Sequence, residues 1–118
     1  MSFCEITLIG HLGAPAELRY TKNQVPVLTI SVGVSEKLRP NDPKDKKPKT
    51  YWHKCRRFGK YAEILAPQLK KGDKVFLKGN LVYDVWEDQK NFKHKDAVIE
   101  IELLEKMIFE NITIDMGD

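Results

Sequence analysis

The sequence predicts an all-β domain: a five-stranded barrel with one short helix between its third and fourth strands. Three observations predict it. Apolar and polar residues alternate with a period of two along most of the chain, whereas helical spacing occurs in one place only. Clusters of Gly, Pro, Asn and Lys separate the alternating stretches. A chain of 118 residues that is 42% hydrophobic supplies one modest core, so these stretches belong to a single domain.

Glu5 to Leu12 (EITLIGHL) reads as the first strand, broken by Gly13-Ala14-Pro15, with Glu17 to Thr21 as a short extended continuation. The Lys22-Asn23-Gln24 turn leads into Val25 to Ser35. There Leu28, Ile30, Val32 and Val34 form an apolar face and Thr29, Ser31, Gly33 and Ser35 a small polar one, the pattern of a half-buried antiparallel strand. Glu36 to Lys49 carries three prolines and no periodicity, as an exposed mobile loop or the tip of a long hairpin does. After the third strand, Gly59 stops the pattern and Lys60 to Lys71 is the helical candidate, with Tyr61, Ile64, Leu65 and Leu69 on one side. Pro67 makes it short or irregular, and Lys70-Lys71-Gly72 ends it. Asp73 to Trp86 is a long strand whose central Gly79 marks a bend or a close backbone crossing. Glu87 to Asn91 turns, and Ala97 to Leu104 is the last strand. Five strands with a helix between the third and fourth is the order of an OB-fold, a Greek-key barrel.

The third strand, within TYWHKCRRFGK at Thr50 to Lys60, is the most informative segment. Successive strand residues point to opposite faces, so Trp52, Lys54, Arg56 and Phe58 share one. A strand tryptophan is commonly core, but a core face does not carry two cations. Aromatic rings stack on any base and cations neutralise phosphates, which is what a single-stranded nucleic acid requires. Arg57 falls on the barrel side with His53 and Cys55, where an unpaired charge is costly, so it lies at the strand end or a bulge rotates it outward.

Charge agrees with that reading. Glu36 to Lys60 carries +7 of a whole-chain +3, while Glu100 to Asp118 carries −5. A basic middle fits a polyanion, although a solvated lysine-rich loop has the same composition. Phosphate candidates are Lys54, Arg56 and Lys60, with Lys44, Lys46, Lys47 and Lys49 from the loop. Trp86 shares its face with Lys78, Asn80 and Asp84, which suits an exposed stacking ring. Phe92 is either a further aromatic contact or a hairpin-tip packing residue. Cys4 and Cys55 lack metal-ligand spacing and read as reduced and inert, and His11, His53 and His94 are scattered, so neither metal nor cofactor is expected. No catalytic constellation is present, which argues against an enzyme. No apolar run reaches the ~20 residues of a membrane span, and no basic or Arg/Ser-rich leader precedes the first strand.

ITLIGHLGAPAELRYT at Ile6 to Thr21, YWHKCRRFGKYAEI at Tyr51 to Ile64, LKKGDKVFLKGNL at Leu69 to Leu81 and the Trp86-Glu87-Asp88 turn together resemble the bacterial single-stranded DNA-binding proteins. The resemblance spans Ile6 to Leu104 in the right order. It implies an OB-fold that coats single-stranded DNA (RNA being the alternative) without sequence preference during replication, repair or recombination. It also implies a homotetramer, with a dimer as the alternative, in the bacterial cytoplasm at the nucleoid. Position by position, Trp52, Phe58 and Trp86 match stacking aromatics, Lys54 and Lys60 match basic residues beside them, and His53 matches a histidine linked to subunit association. Three departures accompany it. Ser35-Glu36-Lys37-Leu38 stands where the family often has another tryptophan, Val82-Tyr83-Asp84-Val85 replaces a basic run, and the long Gly/Pro/Gln-rich tail with an acidic, Phe-ended tip is absent. The expected division is a binding domain over residues 1–109, including the basic loop 36–49, and a short acidic tail over 110–118. An SSB-like primosomal or mobile-element protein, or an OB barrel serving as a protein-interaction module, are the alternatives to general DNA coating.

Overall fold

The computed structural model describes residues 2–108. The acidic segment 110–118 and its boundary lie outside the described residues. The strands are β1 (Glu5–Leu12), β2 (Glu17–Tyr20), β3 (Pro26–Ser35), β4 (Thr50–Phe58), β5 (Lys74–Glu87) and β6 (Lys93–Met107). Between β4 and β5 lie α1 (Lys60–Leu65) and a single 3₁₀ turn, Ala66–Gln68.

Pairing runs β1–β5–β6–β4–β3, and a further β1–β3 contact at His11–Gly33 and Leu12–Val32 closes the ring. Five strands therefore make the barrel expected from the sequence, with β4 and β6 as its one parallel pair. The Glu17 segment is a separate strand rather than a continuation of β1. It pairs with β3 from Glu17–Thr29 to Tyr20–Pro26, after Pro15 has interrupted the first strand.

The alternation read in the sequence decides the core. Leu8, Leu12, Leu28, Ile30, Val32, Cys55, Val75, Leu77, Ile99 and Ile101 point inward and are buried. Fully burying each aliphatic side chain stabilises by roughly 1.5–3 kcal/mol, so this inward set holds the barrel closed. Ala62 and Leu69 complete the cluster below the helix. The helix face differs from expectation: Tyr61 and Ile64 remain exposed, and α1 has only six residues before Pro67 turns it into 3₁₀ geometry.

Gly79 sits where a β-bulge shifts the β5–β6 register, Lys78 pairing with Leu103 but Gly79 with Ile101. A Cβ there would lie 2.3 Å from the Glu100 carbonyl oxygen, so the close crossing anticipated from the sequence is real. β6 is longer than expected, because Lys93 to Asp96 pair with Asp84 to Glu87 despite being polar. A two-stranded arm exposed to solvent has no need of alternating apolar residues, which is why that stretch did not read as a strand. The 36–49 segment is a hairpin connection closed at its base by the Glu36 N–H donating to the Lys49 carbonyl at 2.7 Å. Turns at Arg39–Asp42 and Pro43–Lys46 structure the rest of it.

Candidate nucleic-acid interface

The outward face of β4 carries Trp52, Lys54, Arg56 and Phe58, as strand alternation requires. Trp52 lies opposite Gly33 in the β3–β4 register. Cβ atoms at Gly13 and Gly33 would come within 2.5 and 2.8 Å of the Trp52 six-membered ring. Two glycines thus form a seat that only a missing side chain permits, and the indole resting on it stays 57% exposed. Phe58, at the other end of the strand, is 48% exposed. The two rings stand about 20 Å apart along β4, far enough to meet different nucleotides of an extended strand.

Lys54 and Lys60 are exposed and make no ion pair among the described residues. So are Lys44, Lys47 and Lys49 on the hairpin loop. Lys46 differs: its ammonium lies 3.5 Å from both Glu36 and Asp42, tied into the loop itself. His53 is half-buried on the inward side of β4, opposite Val32.

Arg56 is the largest revision. Its guanidinium donates to both oxygens of Asp84 at 2.7 and 3.0 Å and to Glu100 at 3.2 Å, with its side chain only 19% exposed. A bidentate carboxylate pair occupies the donors a phosphate would use. These hydrogen bonds, Asp84 foremost, raise the Arg56 pKa, so the group is a fixed cation. Arg56 therefore fastens the β5–β6 arm to β4, and it leaves the set of free phosphate contacts. Asp84, an oddity in the sequence, is its partner. Arg57 is half-buried on the barrel side and donates to the carbonyls of Ile101 and Glu102 at 3.3 and 2.9 Å. These carbonyls flank the bulge, just past the last β4–β6 pair. Its guanidinium also lies 5.0 Å from the Tyr61 ring. No bulge rotates Arg57 outward: the β3–β4 register runs unbroken through it, and the irregularity lies instead in the β5–β6 pair.

Trp86 is held from two sides. Its indole N–H donates to Asp96 at 2.6 Å, and its ring stacks on His94 with centroids 4.3 Å apart and planes 17° from parallel. His94 in turn contacts Asp88 at 2.8 Å. Asp88 also accepts the N–H groups of Lys90 and Phe92, which fixes the tight turn around Asn91. One face of the Trp86 ring is therefore covered, yet the residue remains 47% exposed. His94 and Asp96 were not singled out from the sequence. The available signal was the turn: centring a hairpin on Asp88 to Phe92 puts His94 opposite Trp86. Phe92 projects at the tip, 65% exposed, rather than packing under it.

Trp86, Asp84, Glu100 and Arg56 share one continuous surface, since Arg56 bonds both acids and Arg56 pairs in register with Glu100. The arm and the β4 face thus present a single aromatic-lined, basic-flanked track. Among the described residues no group of three or more His, Cys, Asp or Glu forms a metal cluster. A closed barrel that displays exposed rings beside lysines with no ion pair among the described residues is the architecture of an oligonucleotide-binding protein.

Comparison with known proteins agrees. The chain matches the family described as "Single-strand binding protein family" over residues 3–107. It is 36% identical over 92 residues to "Single-stranded DNA-binding protein 1" of Xylella fastidiosa (strain 9a5c), covering 78% of this chain and 68% of that one. The chain belongs to the single-strand binding protein family.

Proposed function

We infer that the chain binds single-stranded DNA without base preference, as a non-enzymatic coating protein of DNA replication, repair or recombination. Family membership supports this, and the observation that carries it to named residues is the β4 face, where Trp52 on its two-glycine seat and Phe58 flank Lys54, which has no ion pair among the described residues. Bases stack on Trp52, Phe58 and Trp86, with Phe92 reaching them from the arm tip. Lys54, Lys60, Lys44, Lys47 and Lys49 follow the phosphates, and Lys46 joins them when its loop carboxylates yield. Stacking supplies about 1–3 kcal/mol per base and is indifferent to base identity.

Self-association as a homotetramer, with a dimer as the alternative, fits the apolar Ile9 left exposed on β1, and His53 is the interfacial group carried over from the resemblance. Among the described residues no helix is long and apolar enough to cross a membrane, and a cytoplasmic, nucleoid-associated protein is the reading that accompanies DNA coating. Titration of tryptophan fluorescence with oligo-dT tests the proposal: saturable quenching that weakens with salt is expected, and none at low salt would overturn it. Sedimentation with and without oligo-dT separates tetramer from dimer.

A further inference from the structure

Beyond the ring, the β5–β6 arm has a second face. Strand alternation puts Tyr83 and Val85 of β5 on it, with Ala97, Lys95 and Lys93 of β6 as neighbours through the Tyr83–Ala97, Val85–Lys95 and Glu87–Lys93 register. Tyr83 and Val85 are 51% and 68% exposed, and the Lys95 ammonium lies 4.4 Å from the Tyr83 ring centroid. A two-stranded arm under no functional demand has little reason to show solvent a tyrosine and a valine side by side.

The charges divide between the two faces. Asp84, Asp88 and Asp96 all serve the Trp86 side, committed to Arg56, to His94 and the turn, and to the indole N–H. Lys93 and Lys95 lie on the Tyr83 side and make no ion pair among the described residues, with Glu87 the only acid across from them. A phosphate backbone crossing the arm meets carboxylates on the Trp86 side and, on the other, ammonium groups with no carboxylate partner among the described residues.

We propose that the Tyr83 face is a second contact for single-stranded DNA, so that the strand wraps the arm. Tyr83 stacks a base, and Lys93 and Lys95 neutralise the phosphates beside it. This site rests on the reading of the chain as a single-stranded DNA-binding protein, and it places a cation–aromatic pair where the basic run before Trp86 is lost. Charge complementarity selects nucleic acid over a second copy of the chain, because Lys93 and Lys95, with no ion pair among the described residues, flank a half-exposed ring that Lys95 covers from one side, and such a cluster favours a polyanion.

The test has two arms. Irradiating the full chain with an oligo-dT carrying 5-iodouracil should cross-link the peptide containing Tyr83 as well as those containing Trp52 or Phe58. In parallel, the Lys93→Gln/Lys95→Gln double variant should lower the slope of log K against log salt by about 1.4, at ~0.7 per phosphate contact on a single strand. Cross-links confined to the β4 peptides, together with an unchanged slope, would overturn the proposal while leaving single-stranded DNA binding intact. A change in sedimenting mass of the double variant without a change in slope would also overturn it, making this face a contact between copies. If the wild-type chain fails to bind oligo-dT, both readings fall.

Discussion

A thiol reacts as its thiolate, so the surroundings of Cys55 fix its chemistry before any reagent is added. Burial in the barrel pushes that thiol up to about 12, whereas Cys4 is exposed on the first residues of the chain. Ellman's reagent at pH 8 should therefore titrate one thiol rapidly in the folded protein and two in urea. Rapid reaction of both in buffer would mean that Cys55 is not in the core. The Asp88 carboxyl shows the opposite kind of control. Contact with His94, followed by the N–H groups of Phe92 and Lys90, lowers its pKa from the ordinary value of 3.8. A carboxyl depressed on folding stabilises the fold above its unfolded value, and that contribution disappears as pH falls through the folded one. In a Trp52→Phe variant, where Trp86 is the only tryptophan, its fluorescence should change below about pH 4 as the turn loosens. Asp88→Asn should abolish that acid step, and its persistence would assign the change to another group. These details escape a sequence reading because they depend on what lies across a turn. The outward placement of Trp52, Phe58 and Trp86, by contrast, is legible from strand alternation.

Between residue and molecule, the element that matters most is the arm, and Arg56 is its fastening. Truncating Asp84 leaves the guanidinium, mostly buried, with Glu100 as its remaining carboxylate partner. A double-mutant cycle of Arg56→Leu and Asp84→Leu should give a coupling energy of about 1 kcal/mol in stability, moderated by the partial exposure of Asp84. A coupling near zero would leave the arm fastened to β4 by the β4–β6 strand pairing alone. Oligo-dT affinity should fall with Asp84→Leu even though a carboxylate that repels phosphates is removed, because Trp86 loses its fixed place relative to Trp52. The sequence showed Arg56 on the aromatic face and Asp84 as a departure from the family pattern. It could not show that the two meet, since their strands are separated in the sheet by β6. The length of β6 was hidden for a related reason: its polar half is specified by pairing with β5 rather than by burial. Gly79 was legible, because a glycine in mid-strand has few other uses. Gly79→Val should destabilise the barrel by about 1–3 kcal/mol, its Cβ pressing on the Glu100 carbonyl, with a lowered urea midpoint as the readout.

At the scale of the molecule, barrel closure and the proposed DNA contact fall on opposite faces of the same strand. β4 turns Cys55 into the core and Trp52, Lys54 and Phe58 outward, so the proposed contact residues can change without touching the interior. That separation makes the fold readable from periodicity, and it yields a sharp expectation for Trp52. Its ring rests on Gly13 and Gly33 but contributes little to the core, being more than half exposed. Trp52→Ala should therefore weaken oligo-dT binding by about 1–3 kcal/mol, the worth of one stacked base, while leaving the urea midpoint nearly unchanged. Lys54→Gln should weaken it chiefly at low salt, reducing the salt slope by about 0.7 without altering tryptophan quenching at saturation. The pair of results distinguishes a stacking site from an electrostatic one on adjacent positions of the same face. If Trp52→Ala instead unfolds the chain while binding per folded molecule is kept, the two-glycine seat is a packing device and the aromatic track begins at Phe58.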